Sequence, residues 1–114
     1  DGSQTRSFCF VEDEVDGIYR LFMSDHVGPV NIGNPDEFTI RELAETVQRL
    51  TGSTSPIEER PLPTDDPKVR RPDITLARNV LGWEPQVSLE EGLSRTVPYF
   101  QKLVREQGAV ARAL

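Results

Sequence analysis

The sequence predicts an α/β fold: a small mixed domain of three or four helices with two or three short strands. Three observations predict it. Apolar residues recur at helical spacing in several segments, capping boxes open two of those segments, and short β-branched or aromatic runs lie between turn-like sequences. The 114 residues suffice for one domain, and folding at this size hides roughly 65% of the surface of the unfolded chain.

The first segment predicts a short strand followed by a helix. Residues 5–11, Thr-Arg-Ser-Phe-Cys-Phe-Val, favour β-structure. Val15, Ile18 and Phe22 then follow at steps of three and four, which predicts a helix over residues 12–24 with one buried apolar face.

The next segment repeats this order. Val-Asn-Ile at residues 30–32 follows a Gly-Pro break and predicts a short buried strand. Thr39 and Glu42 form a capping box for a helix that ends at Gly52.

The middle of the chain is irregular by composition. Residues 57–60 are a third candidate strand, and residues 61–72 are too rich in proline and charge for regular structure. We call residues 61–72 the proline-rich loop. Asp73 can cap a short helix that Gly82 closes.

The last predicted element is a long helix. Ser88 and Glu91 form a second capping box, and the apolar stripe continues to Val104. We therefore predict a folded unit over residues 1–107 and a frayed tail over residues 108–114.

Composition excludes several classes of function. The net charge of −6 argues against binding nucleic acid or an anionic membrane. One cysteine and one histidine exclude a disulfide framework and the common zinc sites, and we expect no metal. No apolar run reaches the length of a membrane span, and no basic-then-apolar leader opens the chain, so we expect a cytoplasmic protein.

Catalytic motifs are missing. The eight glycines give neither a dinucleotide loop nor a P-loop, and neither Tyr19 nor Tyr99 has a lysine four residues later. The chain opens at Asp1, which is consistent with a processed terminus or with an excised piece of a longer polypeptide. We therefore predict that this chain alone is inactive.

Three arginines are the candidate ligand contacts. Arg6 lies near a predicted strand, while Arg70 and Arg71 end the proline-rich loop. Arginine binds phosphate or carboxylate in a bidentate manner, so arginines from two loops could clamp an anion. The alternative is that all three are solvated loop charges paired with Asp65 and Asp66, and within it we expect these two carboxylates to balance Arg70 and Arg71.

Several motifs resemble those of UDP-glucuronate decarboxylases, also called UDP-xylose synthases. They are Gln-Thr-Arg-Ser-Phe at residues 4–8, Asn-Ile-Gly-Asn-Pro at 31–35, Asp-Asp-Pro-Lys-Val-Arg-Arg-Pro-Asp at 65–73 and Leu-Gly-Trp-Glu-Pro at 81–85. The last motif is shared by many extended short-chain dehydrogenases/reductases. The resemblance extends over nearly the whole chain and implies the C-terminal nucleotide-sugar-binding subdomain, without the N-terminal Rossmann half.

The resemblance also implies a reaction. In that family, NAD oxidises C4 of the sugar, the C6 carboxylate leaves as CO2, and C4 is reduced again to give UDP-xylose. NAD and the catalytic Tyr/Lys pair would be held by the absent half. By the same resemblance Arg6 would bind the UDP phosphates, Gln4 would be a weaker substrate contact, and Arg70 would act in substrate binding and at the sugar carboxylate. Arg71 receives no role. The partners implied are a UDP-sugar, the Rossmann half and, for the full-length protein, a second copy.

Two alternatives stay open. A nucleotide-sugar epimerase or 4,6-dehydratase could share this subdomain, and only the decarboxylase would release CO2. A stand-alone acidic interaction module would ignore UDP and show no exposed apolar face. A subdomain that docks on a Rossmann half would show a large one.

Overall fold

The computed structural model describes residues 1–113, with side chains described as far as Gly108. The elements in chain order are β1 (Thr5–Arg6), α1 (Val11–Phe22), β2 (Phe38–Thr39), α2 (Ile40–Thr51), a π-helical turn (Ala77–Leu81) and α3 (Leu89–Ala113). Three long helices, one short one and two short strands within the described residues confirm the predicted small mixed fold. The predicted tail covers residues 108–114: residues 108–113 belong to α3, and Leu114 lies outside the described residues. That this tail is frayed stays a prediction.

The two strands form a minimal antiparallel sheet. Thr5 lies opposite Thr39, and the Ile40 amide donates to the Gln4 carbonyl over 3.0 Å. The strand predicted over residues 5–11 is only two residues long, because the chain leaves β1 to begin α1 at Val11.

The core is small and lies where α1 crosses the π-helical turn. Ile74, Ala77 and Trp83 are at most 2% exposed. Helix α1 reaches them at Gly17, where a Cβ atom would lie 2.5 Å from Cγ2 of Ile32 and 3.1 Å from Cε2 of Trp83. The approach of α1 to the core therefore requires glycine at this position.

Asp13 ties α1 to the segment that leads into α3. Its buried carboxylate accepts the backbone N–H groups of Gln86 (3.0 Å) and Val87 (2.9 Å), and its carbonyl accepts the indole N–H of Trp83 (3.0 Å). These hydrogen bonds offset the cost of burying the charge.

The prediction that α1 buries its apolar face is wrong. Within this face Ile18 is 56% and Phe22 83% exposed, while the opposite side of the helix, with Asp13 and Gly17, is buried. We call the exposed stripe the α1 apolar face; it consists of Val11, Val15, Ile18, Tyr19 and Phe22. The spacing correctly predicts an amphipathic helix, but Gly17 and Asp13 determine which side meets the core of this chain.

Two predicted strands, residues 30–32 and 57–60, are not strands in the described structure. A strand needs a neighbouring strand to satisfy its backbone, and the described residues offer none to either segment. Val30 and Ile32 are half-buried against the core instead. Residues 57–60 are exposed, with Glu59 paired to Arg41 on α2.

Helix α2 has the predicted termini. The Thr39 hydroxyl accepts the Glu42 amide (3.0 Å), and the Glu42 carboxylate accepts the Thr39 amide (2.6 Å), which completes the capping box. Gly52 ends the helix in the left-handed conformation, with φ +67°.

Helix α3 begins at the predicted position and packs beside α2, but only half of the predicted capping box forms. The Ser88 hydroxyl accepts the Glu91 amide (3.2 Å), while the Glu91 carboxylate pairs with Arg95 one turn later (2.5 Å). Within residues 1–113, no helix combines the length and the apolarity needed to cross a bilayer.

The predicted short helix after the proline-rich loop is confirmed, and its last turn is π-helical. The Asp73 carboxylate accepts the amide (2.9 Å) and the hydroxyl (2.7 Å) of Thr75, and these bonds lower the pKa of Asp73. At the other end the Gly82 amide donates to the Ala77 carbonyl, five residues back.

Candidate functional site

Arg6 is held in one orientation on β1. Its Nη1 atom donates to the Thr5 carbonyl over 2.7 Å, and its Nη2 atom donates to Oδ1 of Asp66 over 2.5 Å. The Arg6 side chain is 16% exposed and that of Asp66 31%. Because both terminal nitrogens are bonded, the plane of the guanidinium is fixed while further N–H groups stay available for an anion.

The proline-rich loop docks on β1 through its backbone as well. The Thr5 amide donates to the Lys68 carbonyl over 2.7 Å. The Thr5 hydroxyl donates to one carboxylate oxygen of Glu37 (3.1 Å), and the other oxygen lies 3.8 Å from Nη1 of Arg71. The loop that carries Arg70 is therefore attached to the strand that carries Arg6.

Arg70 is exposed and forms no ion pair within the part of the chain that the structure describes. It lines a cavity of about 510 Å³ beside the sheet. The other lining residues are Ser7, Glu14, Ile18, Leu21, Val30, Asn31, Ile32, Arg71 and Pro72. Ser7 directly follows Arg6, so the cavity lies next to β1, although Arg6 itself does not line it.

The expectation that Asp65 and Asp66 balance Arg70 and Arg71 is wrong. Asp66 pairs with Arg6, and Arg71 lies beside Glu37. The Asp66 amide donates to the Pro63 carbonyl (3.3 Å), and this turn directs Asp66 towards β1. Asp65 is exposed in the left-handed conformation, with φ +68°.

Gln4 contributes its backbone to this region. Its carbonyl accepts the Ile40 amide, which extends the pairing of the two strands. Its side chain is half-buried and makes no hydrogen bond to another described residue. A contact between the Gln4 side chain and a substrate stays a prediction.

Among the described residues, neither a nucleophilic thiol nor a metal site adds to the chemistry of this region. Burial raises the pKa of the Cys9 thiol to about 12, helped by a hydrogen bond to Glu14 and by the charges of Glu14 and Asp13. The thiol is therefore protonated at neutral pH and is not a nucleophile. No group of three or more His, Cys, Asp or Glu side chains in residues 1–108 is placed to hold a metal ion.

The described residues do not fit a dinucleotide cofactor such as NAD. A dinucleotide pyrophosphate sits on a glycine-rich turn between a strand and the N terminus of a helix. Here β1 leads to α1 through Ser-Phe-Cys-Phe, and β2 leads directly into α2. We assign no step through NAD to these residues.

The sequence alone did not identify Asp66 and Glu37 as part of this region. Asp66 lies sixty positions from Arg6, and Glu37 lies thirty-two positions from Thr5. The only signal was two adjacent carboxylates in a proline-rich loop, and such a pair does not show which arginine it contacts.

Residues 1–96 match the family described as GDP-mannose 4,6-dehydratase. Over 116 aligned residues the chain is 51% identical to UDP-glucuronic acid decarboxylase 2 of Arabidopsis thaliana, with 99% of this chain and 26% of that protein covered. The chain therefore spans about a quarter of the length of that relative.

Solved structures of similar proteins confirm the fold. A UDP-glucose 4-epimerase from Thermotoga maritima, solved with UDP-glucose, superposes with a TM-score of 0.85 at 34% identity over 91% of this chain and 34% of its own. A UDP-glucuronic acid 4-epimerase from Bacillus cereus, in complex with UDP-glucuronic acid and NAD, gives a TM-score of 0.82 at 26% identity over 90% of this chain and 34% of its own.

Proposed function

The chain belongs to the GDP-mannose 4,6-dehydratase family, and we propose that it is the UDP-sugar-binding part of an NAD-dependent UDP-glucuronate decarboxylase. The full-length enzyme would convert UDP-glucuronate to UDP-xylose and CO2. Because the chain spans about a quarter of its decarboxylase relative, we assign the NAD site and the catalytic Tyr/Lys pair to residues outside it. A cytoplasmic location and a homodimer of the full-length enzyme are parts of the same proposal.

The observation that carries the proposal is the docking of the proline-rich loop on β1. The Thr5–Lys68 and Arg6–Asp66 contacts attach the loop of Arg70 to the strand of Arg6. A UDP-uronic acid carries a diphosphate and a carboxylate, so it needs local cations in a protein whose net charge is −6.

The two arginines would take different anions. Arg6, already oriented by Thr5 and Asp66, would bind the diphosphate through its remaining N–H groups. Arg70, exposed at the cavity, would hold the sugar carboxylate in the orientation from which it leaves as CO2. A guanidinium stays charged at every physiological pH, so Arg70 would act by position and charge and not by proton transfer.

The α1 apolar face argues against a stand-alone interaction module. That alternative predicts no exposed apolar face, whereas five apolar side chains of α1 are more than half exposed. A continuous stripe of exposed apolar side chains marks a site of contact with other protein. We propose that the rest of the full-length enzyme covers it.

A 4-epimerase is the second candidate function, because epimerase structures superpose on this chain. The identity of 51% to a decarboxylase, against 34% and 26% to these epimerases, favours the decarboxylase.

The test is product analysis on the full-length protein that contains this chain, incubated with UDP-glucuronate and NAD. The proposal expects one CO2 released for each UDP-xylose formed. Conversion to a UDP-uronic acid without CO2 would instead indicate a 4-epimerase.

A further inference from the structure

We propose that Asp66 is a positioning residue for Arg6, and that the same contact fixes the loop segment that presents Arg70. This inference rests on the proposed function, because it assigns a role within the same site. Asp66 would touch no substrate; it would act through the two arginines.

The first argument is the geometry of the guanidinium. Arg6 donates from Nη1 to the Thr5 carbonyl and from Nη2 to Asp66, so the two acceptors lie at its two terminal nitrogens. An arginine held in this way loses little side-chain entropy when it binds an anion. The pair is mostly shielded from solvent, with 16% and 31% exposure, so water screens it less than a surface ion pair.

The second argument is the position of Asp66 in the loop. Asp66 lies four residues before Arg70, and Lys68, midway between them, accepts the Thr5 amide. The proline-rich loop contains no helix or strand. The contacts of Asp66 and Lys68 with β1 therefore set the path of the backbone into Arg70.

Asp66 could either position Arg6 or merely neutralise its charge, and the two roles predict opposite changes in UDP affinity when the carboxylate is removed. A carboxylate that merely neutralised Arg6 would weaken its attraction for a diphosphate, so removal of the carboxylate would tighten UDP binding. A carboxylate that orients Arg6 makes UDP binding weaker when it is removed.

The experiment measures UDP affinity by calorimetry, together with kcat and KM for UDP-glucuronate, in the full-length protein. Asp66→Ala is expected to weaken UDP binding roughly tenfold, which is about the contribution of one hydrogen bond to a charged group. It is also expected to lower kcat, because the loop segment that presents Arg70 is no longer held. Asp66→Asn keeps an oxygen acceptor and is expected to recover part of the affinity. Asp65→Asn makes the same change of charge at the preceding residue and is expected to leave UDP affinity unchanged. Asparagine tolerates the left-handed conformation of Asp65, so this control keeps the loop conformation.

A merely structural role of Asp66 is separated from positioning of Arg6 by making the same substitution in wild type and in an Arg6→Ala protein. In an Arg6→Ala protein, Asp66→Ala is expected to cause no further loss of UDP affinity. An equal loss in that background, or unchanged or tighter binding in the Asp66→Ala single variant, overturns the inference. If Asp66→Ala does not fold, the UDP affinities of Asp66→Asn and Asp65→Asn are compared instead, in wild type and in the Arg6→Ala protein, by the same criteria.

The proposed function can fail separately. If the full-length protein binds UDP but releases no CO2 from UDP-glucuronate, the proposed function is overturned, while the UDP affinities of the Asp66 variants still decide the inference. If the full-length protein does not bind UDP, both are overturned.

Discussion

The Nη2 atom of Arg6 donates to Oδ1 of Asp66 over 2.5 Å, although the two residues are sixty positions apart in the sequence. This contact joins a two-residue strand to a loop without regular structure. The cation proposed to bind the diphosphate is thus oriented before any substrate arrives.

Replacement of Arg6 by alanine should weaken UDP binding to the full-length protein by about 1.5–3 kcal/mol, the usual contribution of a hydrogen bond to a charged group. Calorimetric titration with UDP measures this change. Arg60→Ala, which removes a largely exposed arginine paired with Glu58, should have no effect. Equal UDP affinity in Arg6→Ala and wild type would show that Arg6 does not bind the phosphates.

Replacement of Arg70 by alanine should lower kcat on UDP-glucuronate about 100-fold, the scale of the loss when a reacting group is misplaced by about 1 Å. UDP affinity should change little, because UDP lacks the sugar carboxylate. Steady-state kinetics and UDP titration on the same protein separate the two effects. Arg71→Ala is the matched comparison, since Arg71 lines the same cavity but lies beside Glu37. A loss of UDP affinity with normal kcat would contradict the role of Arg70.

The parts of the fold that the sequence predicted well are those with local causes. The Thr39–Glu42 capping box and the left-handed Gly52 bound α2 as predicted, because both signals act within one turn of the residues they affect. Asp73 and Gly82 mark the short helix for the same reason, although nothing in its sequence indicated the π-helical turn.

The parts that failed depend on distant partners. Residues 30–32 have strand composition, but a strand forms only beside another strand, and the described residues provide none. The spacing of Ile18 and Phe22 shows that α1 is amphipathic, yet it cannot show what covers the apolar side. The choice of Asp66 as the partner of Arg6 could not be predicted, since no periodicity links residues on a strand and an irregular loop.

Gly17→Ala should destabilise this chain by about 1–3 kcal/mol, the typical cost of overpacking. The added methyl group would lie 2.5 Å from Cγ2 of Ile32 and 3.1 Å from Cε2 of Trp83, so the core must shift to admit it. Urea unfolding followed by tryptophan fluorescence measures the change at Trp83. Gly108→Ala is the control: among the described residues outside its own turn of helix, its methyl group meets no atom within 4 Å, and it should be neutral or stabilising by up to about 1 kcal/mol. Equal stability of the Gly17 and Gly108 variants would contradict this packing.

The cap at Asp73 should make stability depend on pH. The hydrogen bonds from Thr75 lower the pKa of Asp73 from its ordinary value of 3.8. The charged carboxylate therefore contributes stability above that value, and the contribution is lost as pH falls through the lower pKa of the folded state. Thermal unfolding should show a higher Tm for wild type than for Asp73→Asn at pH 7, and a smaller difference well below pH 3.8. Asp65→Asn, which breaks no ion pair of the described chain, controls for the lost charge. A difference independent of pH would contradict an ionic cap.

The α1 apolar face should make this chain associate when it is prepared alone. Its stripe from Val11 to Phe22 is exposed, and apolar surface of this extent drives contact with a dye or with another molecule. Sedimentation velocity should show concentration-dependent association, and Phe22→Asp should shift the chain towards the monomer and reduce binding of an apolar dye. Val27→Asp makes the same kind of change at a 92% exposed valine beyond the end of α1 and should leave association and dye binding unchanged.

In the full-length protein the substitution at Phe22 should be harmful. Phe22→Asp should lower its Tm, because a charge would then be buried against the part of the enzyme proposed to cover this face. A monomeric wild-type chain that binds no dye would instead favour the stand-alone interaction module.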